Sequence, residues 1–231
     1  MTSWRGGLVL VVSLAGCGAA GGGGVGGGGG GGVGGGGAVP LDRLDEEYAA
    51  AFCRKIFGCC TASELPETPA AGGDEAACRA TYGAAIASDL GDIQASVASG
   101  IVTYDGLKAR SCFDTLIALP CTEWGGDEAP DRIPDCALIL VGTVTPGGTC
   151  TGSETCPGGV CWPGGACVAY AKRGESCAEI PCQGGLYCKT NAAGICAAYE
   201  SNGATCSFDD ACRSNSCNGG VCGPSEICNG I

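Results

Sequence analysis

Gly147-Gly148-Thr149-Cys150, then Cys156, Cys161 and Gly165-Ala166-Cys167: this spacing, and its return twice further along the chain, decides the fold. The second pass reads Gly174-Glu175-Ser176-Cys177, Cys182, Cys188 and Gly194-Ile195-Cys196. The third reads Gly203-Ala204-Thr205-Cys206, Cys212, Cys217 and Gly220-Val221-Cys222. Each unit opens on G-x-x-C and closes on G-x-C. The step from Cys167 to Cys177 equals that from Cys196 to Cys206. Self-similarity of this kind marks a repeat architecture. Four cysteines in fewer than thirty residues imply two bridges per unit, with three connectivities open for each. Glycine beside cysteine lets the backbone turn where two segments must approach closely. Apolar content is low, so bridges substitute for a core. We expect short β-hairpins and turns, with little other regular structure, stacked along a short rod.

A metal reading competes. The steps Cys156 to Cys161 and Cys212 to Cys217 are C-x4-C, within the range of zinc sites. The tight C-x2-C knuckle is missing, and the chain contains no His. Disulfides are therefore expected, with no metal site and no cofactor. Asp209-Asp210 lacks the alternating ligands of a calcium loop. It reads as solvated loop, as does Asp127-Glu128.

Between residues 41 and 145 the composition becomes Ala-rich and charged. Leu44, Tyr48, Phe52, Ile56 and Cys59 recur at helical spacing behind an acidic first turn, with Arg54 and Lys55 following. Pro66 and Pro69 mark a loop. A second helix is expected from Asp74, with Cys78, Tyr82, Ile86, Leu90, Ile93 and Val97 as its apolar stripe and Gly100 as its end. A third is expected over Tyr104 to Leu119, with Leu107, Cys112, Phe113, Leu116 and Ile117 facing inward and Pro120 stopping it. Glu123 to Pro134 reads as an acidic loop, and Asp135 to Val141 as a short helix or strand. Trp124 and Trp162 lie in Gly/Pro-flanked loops, as contact residues or as packing. The fold class is α plus small disulfide-rich.

The cysteine count carries a parity. Cys53, Cys59, Cys60, Cys78, Cys112, Cys121 and Cys136 make seven in the helical region. The repeats hold twelve and Cys228 stands alone after them. Adjacent Cys59 and Cys60 do not fit one bridge and should enter two. If every thiol is oxidised within the chain, a bridge must join the helical region to the segment after it. The tail is expected to fold back, with Cys228, or a repeat cysteine displaced by it, closing that bridge.

The remaining cysteine is Cys17. Arg5 supplies a basic n-region and Leu8 to Val12 an apolar run too short to span a bilayer. Leu14, Ala15 and Gly16 then place small residues before Cys17. Residues 1–16 read as a lipoprotein signal peptide. Residues 17–40 read as a lipidated cysteine and a disordered glycine-rich tether, since fifteen glycines lie between Gly21 and Gly37. A coil of about twenty such residues spans roughly 25 Å and stretches to about 70 Å. No later stretch is apolar enough to cross a membrane. Residues 41–145 form the helical cysteine domain, and 146–231 the three repeats and tail.

Leu14-Ala15-Gly16-Cys17 resembles the bacterial lipobox at all four positions. That resemblance implies cleavage before Cys17, acylation of its sulfur and attachment to a lipid bilayer. Gly18, where an Asp would signal inner-membrane retention, favours the outer membrane. The units between Gly147 and Cys222 resemble Dickkopf-type and EGF-like cysteine-rich modules. The whole layout is similar to bacterial cysteine-rich lipoproteins with a lipobox, a low-complexity tether, a helical Cys domain and such repeats. The resemblance implies an exported protein facing periplasm or cell surface, and Wnt-receptor binding is not carried over.

Composition bounds the function. Twenty-one Cys in 231 residues call for an oxidising compartment. The absence of His removes Ser-His-Asp and Cys-His machinery. Twelve Lys+Arg against 24 Asp+Glu, or 11 against 24 once Arg5 is cleaved away, argue against nucleic acid as a partner. The expectation is a non-catalytic binding or structural module, not an enzyme, whose partner is an unknown protein or envelope component. Two alternatives stand: an extracytoplasmic hydrolase using carboxylates, revealed by single carboxylate replacements, and a thiol-redox or metal-storage protein, revealed by free thiols in the native state.

Overall fold

The computed structural model describes residues 36–65, 73–189, 194–225 and 228, with the side chains of residues 126–128 excepted. Leu14, Ala15, Gly16, Cys17 and the tract up to residue 35 lie outside them, as do Pro66 and Pro69. The fold is α plus small disulfide-rich.

Three helices build the first half. After a 3-10 turn at Leu41–Arg43, α1 runs Leu44–Cys59 with Asp45, Glu46 and Glu47 in its first turn, where the helix dipole favours anions. Leu44, Phe52, Ile56 and Cys59 are buried, and Tyr48 lies 6.0 Å from the Phe52 ring and 5.7 Å from that of Phe113. Helix α2 runs Glu75–Ala98, and the Asp74 carboxylate caps it by accepting from the Ala77 N–H at 2.7 Å. Cys78, Ile86 and Leu90 are its buried residues, while Tyr82, Ile93 and Val97 are half-buried. Gly100, at φ +76°, turns the chain into β1, Val102–Tyr104. Helix α3 therefore starts later than expected, at Gly106, capped by Asp105, and ends at Ala118 before Pro120.

Two expectations need correction here. Leu107 does not face inward: it is 63% exposed, because it sits in the first turn of α3, before the face that meets α1. The segment Glu123 to Pro134, expected as an acidic loop, holds short helical turns and buried residues. It coils through 3-10 turns at Cys121–Glu123 and Gly126–Arg132 and carries Trp124, Ala129 and Ile133 into the core. Trp124 meets Phe52 edge-on at 5.9 Å. Aperiodic apolar residues among acids and glycines show no helical or strand pattern, so their burial is invisible locally. Residues 135–141 hold a 3-10 turn, Cys136–Leu138, and the start of β2, Leu140–Gly142, which pairs antiparallel with β1 in the register Thr103↔Val141. The principal core also takes Val39 from before residue 41 and Cys228 from the tail.

Each repeat folds as one antiparallel hairpin. Strands β3 (Gly159–Trp162) and β4 (Ala166–Ala169) pair Cys161 with Cys167. Strands β5 (Leu186–Lys189) and β6 (Ile195–Ala198) pair Cys188 with Cys196. Strands β7 (Cys217–Asn218) and β8 (Val221–Cys222) pair Cys217 with Cys222. Successive units are joined by the parallel bridges Ala171↔Cys182 and Glu200↔Cys212, and they also dock on the helical domain. The Gly185 N–H donates to Asp131 O at 3.1 Å and the Ser225 N–H to Thr122 O at 2.9 Å. Asn202 Nδ2 donates to the same Thr122 carbonyl at 3.2 Å. The second and third units thus lie along the segment that follows α3. Main-chain carbonyls accept all three of these hydrogen bonds, and such acceptors leave no mark in hydropathy.

Candidate functional site

The candidate site is the disulfide framework, because it organises every described cysteine. In each unit the first cysteine pairs with the third and the second with the fourth. The bridges are Cys150–Cys161 and Cys156–Cys167, Cys177–Cys188 and Cys182–Cys196, Cys206–Cys217 and Cys212–Cys222. Of the three connectivities left open, all units take the same crossed one.

The glycine signature has a cause. The N–H groups of Gly147, Gly174 and Gly203 donate to the carbonyls of Cys167, Cys196 and Cys222, each at 2.8 Å. The N–H groups of Cys150, Cys177 and Cys206 donate to the carbonyls of Gly165, Gly194 and Gly220 at 2.8, 2.6 and 2.9 Å. To present these groups the opening glycines adopt φ of +84°, +83° and +86°, and the closing ones +76°, +63° and +83°. A Cβ in that region costs about 1–2 kcal/mol.

The helical region holds Cys53–Cys78, Cys59–Cys121, Cys112–Cys136 and Cys60–Cys228. Cys59 and Cys60 enter different bridges. Cys59 is the last helical residue, while Cys60 has the extended dihedrals φ −87° and ψ 138°, so their side chains diverge. Cys228 folds back onto the end of α1, which resolves the odd count.

The bridges crowd together within each unit. The Sγ atoms of Cys150, Cys156 and Cys167 lie within 4.8 Å of one another, as do those of Cys177, Cys182 and Cys188, and those of Cys206, Cys212 and Cys222. Each of these sulfurs is held in a bridge. The first and third clusters are buried, while the second is half-buried throughout.

Several polar groups brace the framework. Lys55 is buried on the apolar face of α1 and donates to the carbonyl of Leu119 and, at 3.5 Å, to that of Ile117, at the C-terminal end of α3. Burial lowers its pKa, and the α3 carbonyls are a favourable place for a cation. Asp135 accepts from Lys108 Nζ at 2.8 Å and from the Ser111 hydroxyl at 2.5 Å. Those two hydrogen bonds hold its carboxyl below the usual carboxylate range, and the same contact raises Lys108. The Tyr104 hydroxyl donates to Val39 O at 2.8 Å, and burial pushes its pKa up to about 12.

Arg132 joins the two halves. Its guanidinium donates to Arg213 O and, at 3.0 Å, to Asn215 Oδ1, and stands 5.2 Å from the centre of the Tyr199 ring. Nothing in its local sequence pointed to this role, nor to that of Lys55, beyond a charge on an apolar helical face.

The other candidates separate. Trp124 is 1% exposed and is packing, whereas Trp162 is 37% exposed at the tip of the first hairpin. Asp209 is exposed yet not idle, since it accepts from the Cys217 N–H at 2.7 Å and fixes the third hairpin. The side chains of Asp127 and Glu128 lie outside the description. A depression of about 490 Å³ on the outer face of α3 is lined by residues including Gly36, Leu107 and Arg110. Arg110 is committed there to Glu47, at 3.1 Å.

No protein-family model matches the chain, and comparison with curated proteins and with solved structures returns no match. The fold and the bridges define a cysteine-rich repeat protein, disulfide-linked across its described residues, with a small helical domain and short hairpins. Among the described residues no helix is long and apolar enough to cross a membrane.

Proposed function

We propose that this protein is an exported lipoprotein, acylated at Cys17 and held at the bacterial envelope, with the outer membrane as its site. Its body is a non-catalytic binding or structural module that meets an unidentified protein or envelope component. One observation carries the reading. Ten bridges take up all twenty described cysteines, and the remaining one of the 21 in the sequence is Cys17, which ends Leu14-Ala15-Gly16-Cys17. A cysteine that the framework of the body does not need, behind a signal-like segment and ahead of a glycine tract, supports lipid attachment. Each buried acyl methylene contributes about 0.8 kcal/mol, so more than one chain is needed for firm anchoring. The resemblance of the units to Dickkopf-type and EGF-like modules supports a binding role and leaves the ligand open.

The test is metabolic labelling of the full chain in a bacterial host with an alkyne-bearing fatty acid, followed by membrane fractionation. The wild type should carry label and sediment with outer membrane. Cys17→Ser should lose the label, and either appear soluble or stall with its leader attached. A Cys17→Ser chain that is processed and still membrane-bound rules out the lipoprotein reading.

A further inference from the structure

Cys177–Cys188 differs from the other nine bridges in one respect. Each of the others has at least one buried cysteine, whereas Cys177 and Cys188 are both half-buried. Their neighbour Cys182 is half-buried as well, and its own partner, Cys196, is 1% exposed. Exposure governs access of an attacking thiolate to a disulfide sulfur.

The second unit also has an alternative pairing within reach. The Sγ atoms of Cys177, Cys182 and Cys188 lie within 4.8 Å of one another, so either sulfur released from Cys177–Cys188 has Cys182 beside it. The hairpin register places Cys188 directly opposite Cys196. Residues facing across an antiparallel pair have Cα atoms about 4.5–5.5 Å apart, a separation that a disulfide spans.

We propose that the second unit is a thiol–disulfide exchange site, opened by an external thiolate at Cys177–Cys188 and able to shift to Cys177–Cys182 plus Cys188–Cys196. The thiolate attacks Cys188 Sγ, forms a mixed disulfide and releases Cys177 as thiolate. Cys177 attacks Cys182 Sγ, which breaks Cys182–Cys196 and releases Cys196. Cys196 then attacks Cys188 in the mixed disulfide and returns the external thiolate. Three exchanges conserve sulfur bonds and electrons, so no oxidant or reductant is consumed. The substrate class is a small-molecule thiol or an accessible protein thiol.

The shift has a mechanical consequence. In the observed pairing both bridges tie the opening loop of the unit to its hairpin. In the shifted pairing loop and hairpin are each closed on themselves. They are then joined through backbone bonds such as Gly174 N–H to Cys196 O and Cys177 N–H to Gly194 O. The unit linking the first repeat to the third becomes a hinge. The first and third units have the same register, but there only Cys161 and Cys217 are half-buried, and the other three cysteines of each unit are buried, so every bridge in them keeps a buried cysteine.

The inference is independent of the anchor at Cys17 and is tested on the full native chain. The protein is incubated with glutathione at neutral pH, quenched with an alkylating agent at intervals, and mapped by non-reducing digestion with fragmentation of the linked peptides. Mixed disulfide or alkylation should appear at Cys177 and Cys188 on the order of tenfold ahead of any other cysteine. Cys177–Cys182 and Cys188–Cys196 should follow. In the double variant C182S/C196S the mixed disulfide should form at a similar rate and accumulate. A different bridge opening first overturns the proposal, and so does a Cys177–Cys188 bridge that opens while Cys182–Cys196 stays intact. The wild-type map decides even if the variant fails to fold.

Discussion

Cys60 and Cys228, 168 residues apart in sequence, are joined by a disulfide that brings the tail onto the C-terminal end of α1. It is the longest-range bridge in the chain, and it places a residue from beyond the last repeat inside the helical core. Its neighbour Cys59 bridges separately to Cys121, at the start of the segment along which the second and third units lie. The two bridges together fasten the repeats to the helical domain from both sides.

Cys228→Ser should leave one reactive thiol and destabilise the body by about 2–4 kcal/mol. Thermal unfolding reads the loss, and alkylation mapping reads the thiol. Because Cys60 then adjoins Cys59–Cys121, some labelling should also reach Cys59. The double variant C60S/C228S should show the same loss without the labelling. An unchanged midpoint in both variants contradicts the fastening role.

Arg132→Lys keeps the charge but loses the planar fork that reaches Arg213 O, Asn215 and the Tyr199 ring. A cost of about 1–2 kcal/mol is expected. Amide exchange should quicken in the third unit, at Arg213 and Asn215, while α1 keeps its protection. Uniform quickening throughout the chain would instead assign Arg132 to global stability.

Asp135 gives the fold an acid sensitivity. Its hydrogen bonds from Lys108 and Ser111 lower its folded pKa below the ordinary 3.8. The stabilisation is therefore complete above pH 3.8 and is lost as the pH falls through the lowered folded value. Asp135→Asn should narrow the difference from wild type as the solution is acidified over that window. Midpoint temperatures of the two proteins against pH provide the check, and a pH-independent offset would contradict it.

Two glycines should respond in opposite directions. A Cβ at Gly142 would overlap the backbone of Thr155 and Cys156, where β2 meets the first unit. Gly142→Ala should cost about 3 kcal/mol or more, since backbone cannot step aside. A Cβ at Gly58, in the last turn of α1, meets nothing within 4 Å. Gly58→Ala should stabilise by about 0.5–1 kcal/mol. Denaturant midpoints measured side by side would expose an error in either direction.

Local chemistry made much of this fold legible. Asp74 announced the start of α2 because its side chain caps the helix from within three residues. The apolar faces of α1 and α2 followed from spacing, since burial on a helix is periodic. The repeat punctuation announced three hairpins because positive-φ glycines are needed wherever the opening loop bonds to the closing strand. Trp124, Ile133, Lys55 and Arg132 escaped. Their partners are remote in the chain, and an aperiodic segment between acids offers no pattern to read.

The sequence by itself determined the class, the number of units, the odd cysteine in the helical region and the need for Cys228 or a displaced repeat cysteine to answer it. These depend on counting and on short spacings, which the chain carries in full. Only the tertiary structure decided that first pairs with third and second with fourth, that Cys60 rather than Cys59 takes Cys228, and that among the described bridges Cys177–Cys188 alone has no buried cysteine. Pairing and exposure are set by distances between segments that meet only when folded. Four cysteines at the same spacing are compatible with three connectivities until the backbone hydrogen bonds of the hairpin select one.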